Sequence, residues 1–302
     1  MKKYFGTIFF AFLFCIPDKM IGAPTLLSKK CASSSEQETE SVLNFPIHIL
    51  KLGGSVITEK SLSEGKAKQE IIENIAEQIA TFLTQNPDHR IIIVHGVGSF
   101  AHPSAKKHKL HISFNEKNKH GVAKVHGAVK EINKITIDEL NKAGVMALPV
   151  HPMSCIVCEN GKISHVNEHV ILKMLEEKFV PVLHGDMVTD TQKGICILSG
   201  DQITPYFAKK FEIGCAGLAS SVNGVYDNNG NVIPEINPNN FDVIKNYIGD
   251  SEYVNASGGM LGKVLELFSE NAPASSCIFN GETETNILQF LEGKHLGTTI
   301  RK

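Results

Sequence analysis

The chain has 302 residues, 42% of them apolar and 21% charged, and a formal net charge of -2. That length accommodates one large α/β domain or two lobes with cores of their own. The near-neutral balance, with no long basic run, argues against a nucleic-acid binder, whose footprint is a strongly basic face.

Two lysines open the chain, followed by an apolar run from Tyr4 to Ile16 that Pro17 closes. The run has the length and flanking charge of a signal-peptide core and is short for a membrane span. A weak small-residue site, Ile21-Gly22-Ala23, is followed by Pro24, which disfavours cleavage, and 28–41 is a polar stretch. Residues 1–45 are therefore read as a targeting-like segment with a linker. A secretory signal, an organellar signal and a start assigned too far upstream all remain open, and the domain after it is expected in the cytoplasm.

From Phe45 the pattern turns regular. IHILKLGGSVIT reads as a strand entering a glycine turn, IIENIAEQIATFL (71–83) as a helix, and RIIIVHG (90–96) as a strand buried on both faces. A helix over 120–143, a strand over 145–152, a helix over 169–179 and a strand over 180–186 follow. The rest is a strand-like CAGLASSVNGVYD (215–227), a helix over 258–272, a strand over 277–281 and a final helix in NILQFLEG. Alternating strands and helices imply a mainly parallel sheet covered on both sides, an open αβα sandwich. Right-handed crossovers bring the carboxyl ends of such strands to one edge, where ligands bind. Three glycine turns fall at such ends: GGS (53–55), HGVGS (95–99) and HGD (184–186).

Four stretches carry chemistry. In KLGGSVITEK, Lys51 sits inside a strand, Gly53, Gly54 and Ser55 offer backbone N–H groups to an anion, and Lys60 flanks them. No Walker A spacing is present, and the alternative is a tight turn with a snorkelling lysine. In HGVGSFAH, Gly96 and Gly98 free the backbone and His102 reaches back over the loop, protonated opposite a phosphate dianion, or serves as a satisfied structural histidine. The basic cluster AKKHKLH (105–111) behind it is either a solvated face or an attraction for polyphosphate. ILSGDQI places Asp201 after a hairpin-like segment, where it fixes nearby lysines, helps hold magnesium, or is a plain turn aspartate. GGMLGK sets Gly259 at a helix start with Lys263 about one turn along, a setting that suits nucleotide phosphates. The seven cysteines include one C-x-x-C, Cys155 and Cys158, with no second pair, so they are expected as buried thiols of a reducing compartment and not as metal ligands.

KLGGSVIT with a lysine nine positions after its first residue, HGVGSFAHP, HGDMV, ILSGDQI, NGVYD and SGGMLGK, in this order, resemble the isopentenyl phosphate kinases of the amino acid kinase superfamily. The resemblance covers nearly all of 47–302, and the histidine of SFAH is its most telling residue. It implies an acetylglutamate kinase-like fold over 46–302, with 46–190 as the phosphate-acceptor half and 191–302 as the nucleotide half. It implies ATP and Mg2+ as cofactors and a homodimer. Lys51, Gly53, Gly54, Ser55, Gly98, Gly259 and Lys263 would contact ATP, and Lys60 would stabilise the transferring phosphoryl group. His102, with backbone contacts from Val97 and Gly185, would hold the acceptor phosphate, and Asp201 would orient the lysines. The acceptor's prenyl tail is expected against 120–143 and the strand MALPVHP.

The sequence departs from the family pattern at Val97 and Ala101, where glycine is usual, at Ser220, Ser221 and Asn223 within ASSVNGVYD, and at Asn255. These departures bear on nucleotide contacts more than on reaction class. Two other readings share the motifs: a kinase acting on another phosphate or phosphonate, such as fosfomycin, and a nucleotide-binding regulator without catalysis.

Overall fold

β1 (Ile47–Leu52) enters a single helical turn, α1 (Gly54–Ile57), before α2 (Gln69–Gln85), β2 (Arg90–His95), α3 (Gly98–Lys107) and α4 (Lys119–Lys142). β3 (Ala147–Pro149) and the turn α5 (Pro152–Cys155) precede a hairpin, β4 (Ile156–Glu159) and β5 (Lys162–Val166). Next come α6 (Glu168–Glu176), β6 (Val180–His184), a second hairpin of β7 (Asp186–Asp190) and β8 (Gly194–Leu198), and α7 (Gly200–Lys210). β9 (Ala216–Ser220), β10 (Glu235–Ile236), α8 (Phe241–Gly249), α9 (Gly259–Leu267), β11 (Ser275–Asn280), α10 (Asn286–Leu291) and β12 (Thr298–Arg301) complete the chain. The computed structural model describes residues 44–59, 65–249, 259–269 and 272–302. The apolar run 4–16, Lys60 and Asn255 lie outside the described residues.

Eight strands form the main sheet in the order β10-β12-β11-β9-β1-β2-β6-β3. Its neighbours pair in parallel apart from β11 and β12, which are antiparallel. The continuous apolar runs have a simple cause, since successive side chains point to opposite faces and both faces are covered. Along β2, Ile92 and Val94 join one core, with Phe207 of α7 and Val264 of α9. Ile91 and Ile93 join the other, with Ile75 of α2, Ile132 of α4 and Phe290 of α10. These are the three layers expected from the alternation.

Three elements differ from the sequence reading. Residues 98–107, assigned no element in advance, are the helix α3, which carries Pro103 in its interior. A glycine at its first position and a proline inside mimic loop punctuation. Asp201 lies in the first turn of α7, three residues beyond the β7–β8 hairpin. The stretch 156–198 also builds a second, four-stranded sheet, β5-β4-β7-β8, whose β4 and β5 come from residues assigned no element in advance. This small sheet spans the boundary drawn at 190/191.

Candidate active site

The three glycine turns meet because their strands are neighbours: Leu52 pairs with His95, and His95 with His184. Turn packs directly on turn. A methyl group at Gly54 would stand 2.6 Å from the Gly98 nitrogen, and one at Gly96 would stand 2.4 Å from the Gly54 nitrogen. The glycines are thus required by mutual backbone approach, in addition to any approach by a ligand.

Above this rim, three charged side chains converge from three elements. Lys51, 3% exposed near the end of β1, places its Nζ 3.0 Å from Asp201 Oδ1. Lys263, in the second turn of α9, donates to Asp201 Oδ2 at 3.0 Å. Burial opposes ionisation of Asp201, but Lys51 and Lys263 pull its carboxyl down to about 2. Burial brings the Lys51 ammonium down to about 8, with Asp201 opposing and Lys263 assisting, so it stays largely protonated at neutral pH. Asp201 is held at the helix start where the Ser199 N–H donates to Gln202 Oε1, 3.1 Å. The trio carries one net positive charge.

His102, one turn into α3, shares a cavity of about 360 Å³ with this trio. Burial, then Lys263 and Lys51, lower its pKa, so the imidazole is biased toward the neutral form until an anion offsets those charges. The cavity continues from this polar end along Ala101 and Ala105 of α3, Val125 and Val129 of α4, Met187 of β7 and Ile197 of β8. Five of these residues, with Leu110, form a separate apolar cluster between α3, α4 and the small sheet. Of the expected wall, α4 lines the cavity, whereas no residue of MALPVHP does: β3 pairs with β6 at the outer edge of the main sheet.

Lys51, Gly54, Val97, His102, Gly185, Asp201 and Lys263 all line this one cavity. Gly53, Ser55, Gly98 and Gly259 lie beside it in the same turns and helix starts without lining it. Gly53 donates to the Ala219 carbonyl at 2.9 Å, and Gly98 has a φ of +46° that favours glycine. Ser55 Oγ accepts from Ser221 Oγ at 3.2 Å, while its carbonyl accepts from Lys68, which also pairs with Glu282 at 2.8 Å. The Gly185 N–H donates to the His95 carbonyl, 3.0 Å away, which leaves no free proton for a phosphate.

Two cavity residues escaped the sequence reading. Glu266 lies three residues beyond Lys263 on the same face of α9, a helical spacing that was there to be read. Asp186 was visible only as part of a glycine turn. Its buried carboxylate accepts from His126 Nδ1 at 2.9 Å and from the Met187 N–H at 2.8 Å, and burial raises its pKa.

The contacts of Asp201 also bear on magnesium. Both its oxygens face ammonium groups, so here the carboxylate fixes the two lysines, one of the roles its position in the sequence offered. Among the described residues no cluster of His, Cys, Asp or Glu has the makings of a metal site.

Residues 46–271 match the model of the amino acid kinase family. The chain is 35% identical over 263 residues to an isopentenyl phosphate kinase of Methanocaldococcus jannaschii, covering 83% of this chain and 97% of that one. It is 36% identical over 253 residues to an isopentenyl phosphate kinase of Haloferax volcanii, covering 84% and 98%. A solved isopentenyl phosphate kinase superposes with a TM-score of 0.71 at 31% identity, covering 84% of this chain and all of that one. With a charged rim at one end of the cavity, an apolar wall at the other and relatives of this kind along the whole domain, the chain belongs to the amino acid kinase family, in its isopentenyl phosphate kinase branch.

Proposed function

We propose that the protein transfers the γ-phosphoryl group of ATP to a terminal phosphate oxygen of isopentenyl phosphate, giving isopentenyl diphosphate and ADP. The observation that carries this reading is the continuity of one cavity, cationic where Lys51, Lys263 and His102 face it and apolar along Val125, Val129, Met187 and Ile197. A short prenyl monophosphate has the same two ends.

The acceptor is an anion at neutral pH, so the attacking oxygen needs no strong general base. Two anions must instead be brought into line against their repulsion. Lys51 and Lys263, fixed by a shared carboxylate, supply positive charge that needs little reorganisation during transfer. Lys51, the Gly53–Ser55 turn, Gly98, Gly259 and Lys263 serve the nucleotide, and Lys60 serves the transferring group. His102 and the Val97 N–H hold the acceptor phosphate, while Gly185 acts by letting the turns pack. Magnesium enters bound to the phosphates of ATP. The two halves, 46–190 and 191–302, bind acceptor and nucleotide, and two copies associate as a dimer.

An ADP-release assay on the full chain tests this reading. Isopentenyl phosphate should stimulate ADP formation strongly and fosfomycin only weakly, because the apolar wall has nothing to contact in a small polar phosphonate. Equal turnover of both, or ADP release indifferent to isopentenyl phosphate, would overturn it.

A further inference from the structure

His95 and His184 close neighbouring parallel strands and face each other in register. Both are completely buried, and each is followed by a glycine. In both, Nδ1 lies 3.0 Å from the carbonyl oxygen of that glycine. The other ring nitrogen is held from behind: His184 Nε2 lies 2.9 Å from His151 Nδ1, and His95 Nε2 lies 2.9 Å from Asn133 Oδ1.

These contacts fix the tautomers. A carbonyl oxygen only accepts, so the nitrogen facing it carries the proton. His184 is therefore protonated at Nδ1, and its Nε2 accepts from His151. His95 repeats the pattern, donating from Nδ1 to the Gly96 carbonyl. With the single proton on Nδ1, Nε2 must accept, which assigns the carboxamide nitrogen of Asn133, in place of the Oδ1 that stands there, to that side; the half-rotation leaves the shape unchanged. Burial lowers the pKa of both imidazoles, in keeping with one proton on each.

The two differ on the far side of the peptide they hold. Among the described residues no peptide bond is cis, so the carbonyl and N–H of one unit point in opposite directions. The peptide of Gly185 carries the Asp186 N–H, which enters the β7–β8 ladder where Asp186 pairs with Leu198. The peptide of Gly96 carries the Val97 N–H, which has no hydrogen-bond partner among the described residues. Gly96, Val97 and His102 line the cavity together. An unpaired donor held rigid at a cavity wall is a feature that calls for a ligand.

We propose that His95 is a positioning residue for the phosphoryl acceptor: by holding the Gly96 carbonyl inward, it turns the Val97 N–H outward as a fixed donor to the acceptor's phosphate. This rests on the reading of the cavity as the isopentenyl phosphate site. The peptide has little freedom otherwise, because Gly96 is packed against the turn at Gly54. His95 acts through the backbone and does not touch the substrate.

Three variants separate orientation from mere packing. His95→Asn keeps a donor at the place of Nδ1, His95→Gln moves it to the place of Nε2, and His95→Leu removes it. Loss of the donor should raise the KM for isopentenyl phosphate about tenfold and leave that for ATP within about twofold. His95→Asn should recover most of this and His95→Gln should not. The Val97 amide resonance should move on addition of isopentenyl phosphate without ATP in the wild type and His95→Asn, and stay still in His95→Gln and His95→Leu. Equal behaviour of the Asn and Gln variants, or parallel rises in both KM values, would overturn the proposal. If His95→Leu fails to fold, the Asn and Gln pair still decides. Turnover of isopentenyl phosphate by a wild type whose Val97 amide does not move would sink this proposal alone. A moving amide without turnover would sink the kinase reading and leave the role of His95 standing.

Discussion

Replacing Asp201 by asparagine probes the charged trio most directly. One carboxylate, 6% exposed, lies 3.0 Å from each of two ammonium groups, and the Lys51 side chain is only 4% exposed. The amide keeps the shape and removes the charge, leaving two cations side by side. Breaking a buried pair by removing one partner costs about 3–5 kcal/mol. At about 2–4 °C per kcal/mol for a domain of this size, Tm should fall by about 6–20 °C. Burial already holds Lys51 at about 8 with Asp201 opposing, so loss of the carboxylate lowers that pKa further and strips the ammonium of its proton near neutrality. The loss of aligned charge should reduce kcat by about 10²–10³. The assay is ADP release against pH, with a thermal melt of the same samples. The alkaline fall in kcat, near pH 8 in the wild type, should move to lower pH in Asp201→Asn. The double variant Lys51→Met with Asp201→Leu should regain much of the stability, since apolar replacement of a buried pair is often neutral, yet stay inactive. An unmoved alkaline limb together with near-native kcat in Asp201→Asn would refute this account of how Lys51 keeps its proton.

Four further outcomes are expected. The Lys51 pKa drops from 10.5 to about 8 on folding, so the unfolded chain binds that proton more tightly and, between these values, this group makes folding more favourable as pH rises while the site loses its cation. Urea midpoints and kcat should therefore part company there. Asp201 has the same sign in an acid window: its carboxyl drops from 3.8 to about 2, so its stabilising contribution is present above about 4 and lost as pH falls toward 2, which acid titration of stability in wild type against Asp201→Asn would show. His102→Ala should raise the KM for isopentenyl phosphate by about 10–100-fold, the worth of a hydrogen bond to a charged group, and lower kcat as well. Val129→Phe, at a fully buried position on the apolar wall, should raise the KM for isopentenyl phosphate with little change for ATP, as steady-state kinetics with each substrate varied would check.

Much of this protein was written in short-range pattern. The apolar runs at 47–52 and 90–95 announce strands because each residue must satisfy one covered face or the other, and that depends only on order along the chain. The residue types of Lys51, His102, Asp201 and Lys263, each next to a glycine turn or helix start, likewise declared themselves locally. What sequence could not supply was distance. That one carboxylate lies 3.0 Å from lysines 150 and 62 positions away along the chain is a product of sheet order, which puts β1 between β9 and β2 and lets α7 and α9 meet above it. The same holds for the apolar wall, gathered from α3, α4 and the small sheet, and for α3 itself, where burial of Phe100, Ala101 and Ala105 outweighs an interior proline. Local preference chose the elements and the reactive side chains. Only three-dimensional packing, by bringing remote segments to one rim, decided which of them share a field and which peptide N–H is left facing the cavity.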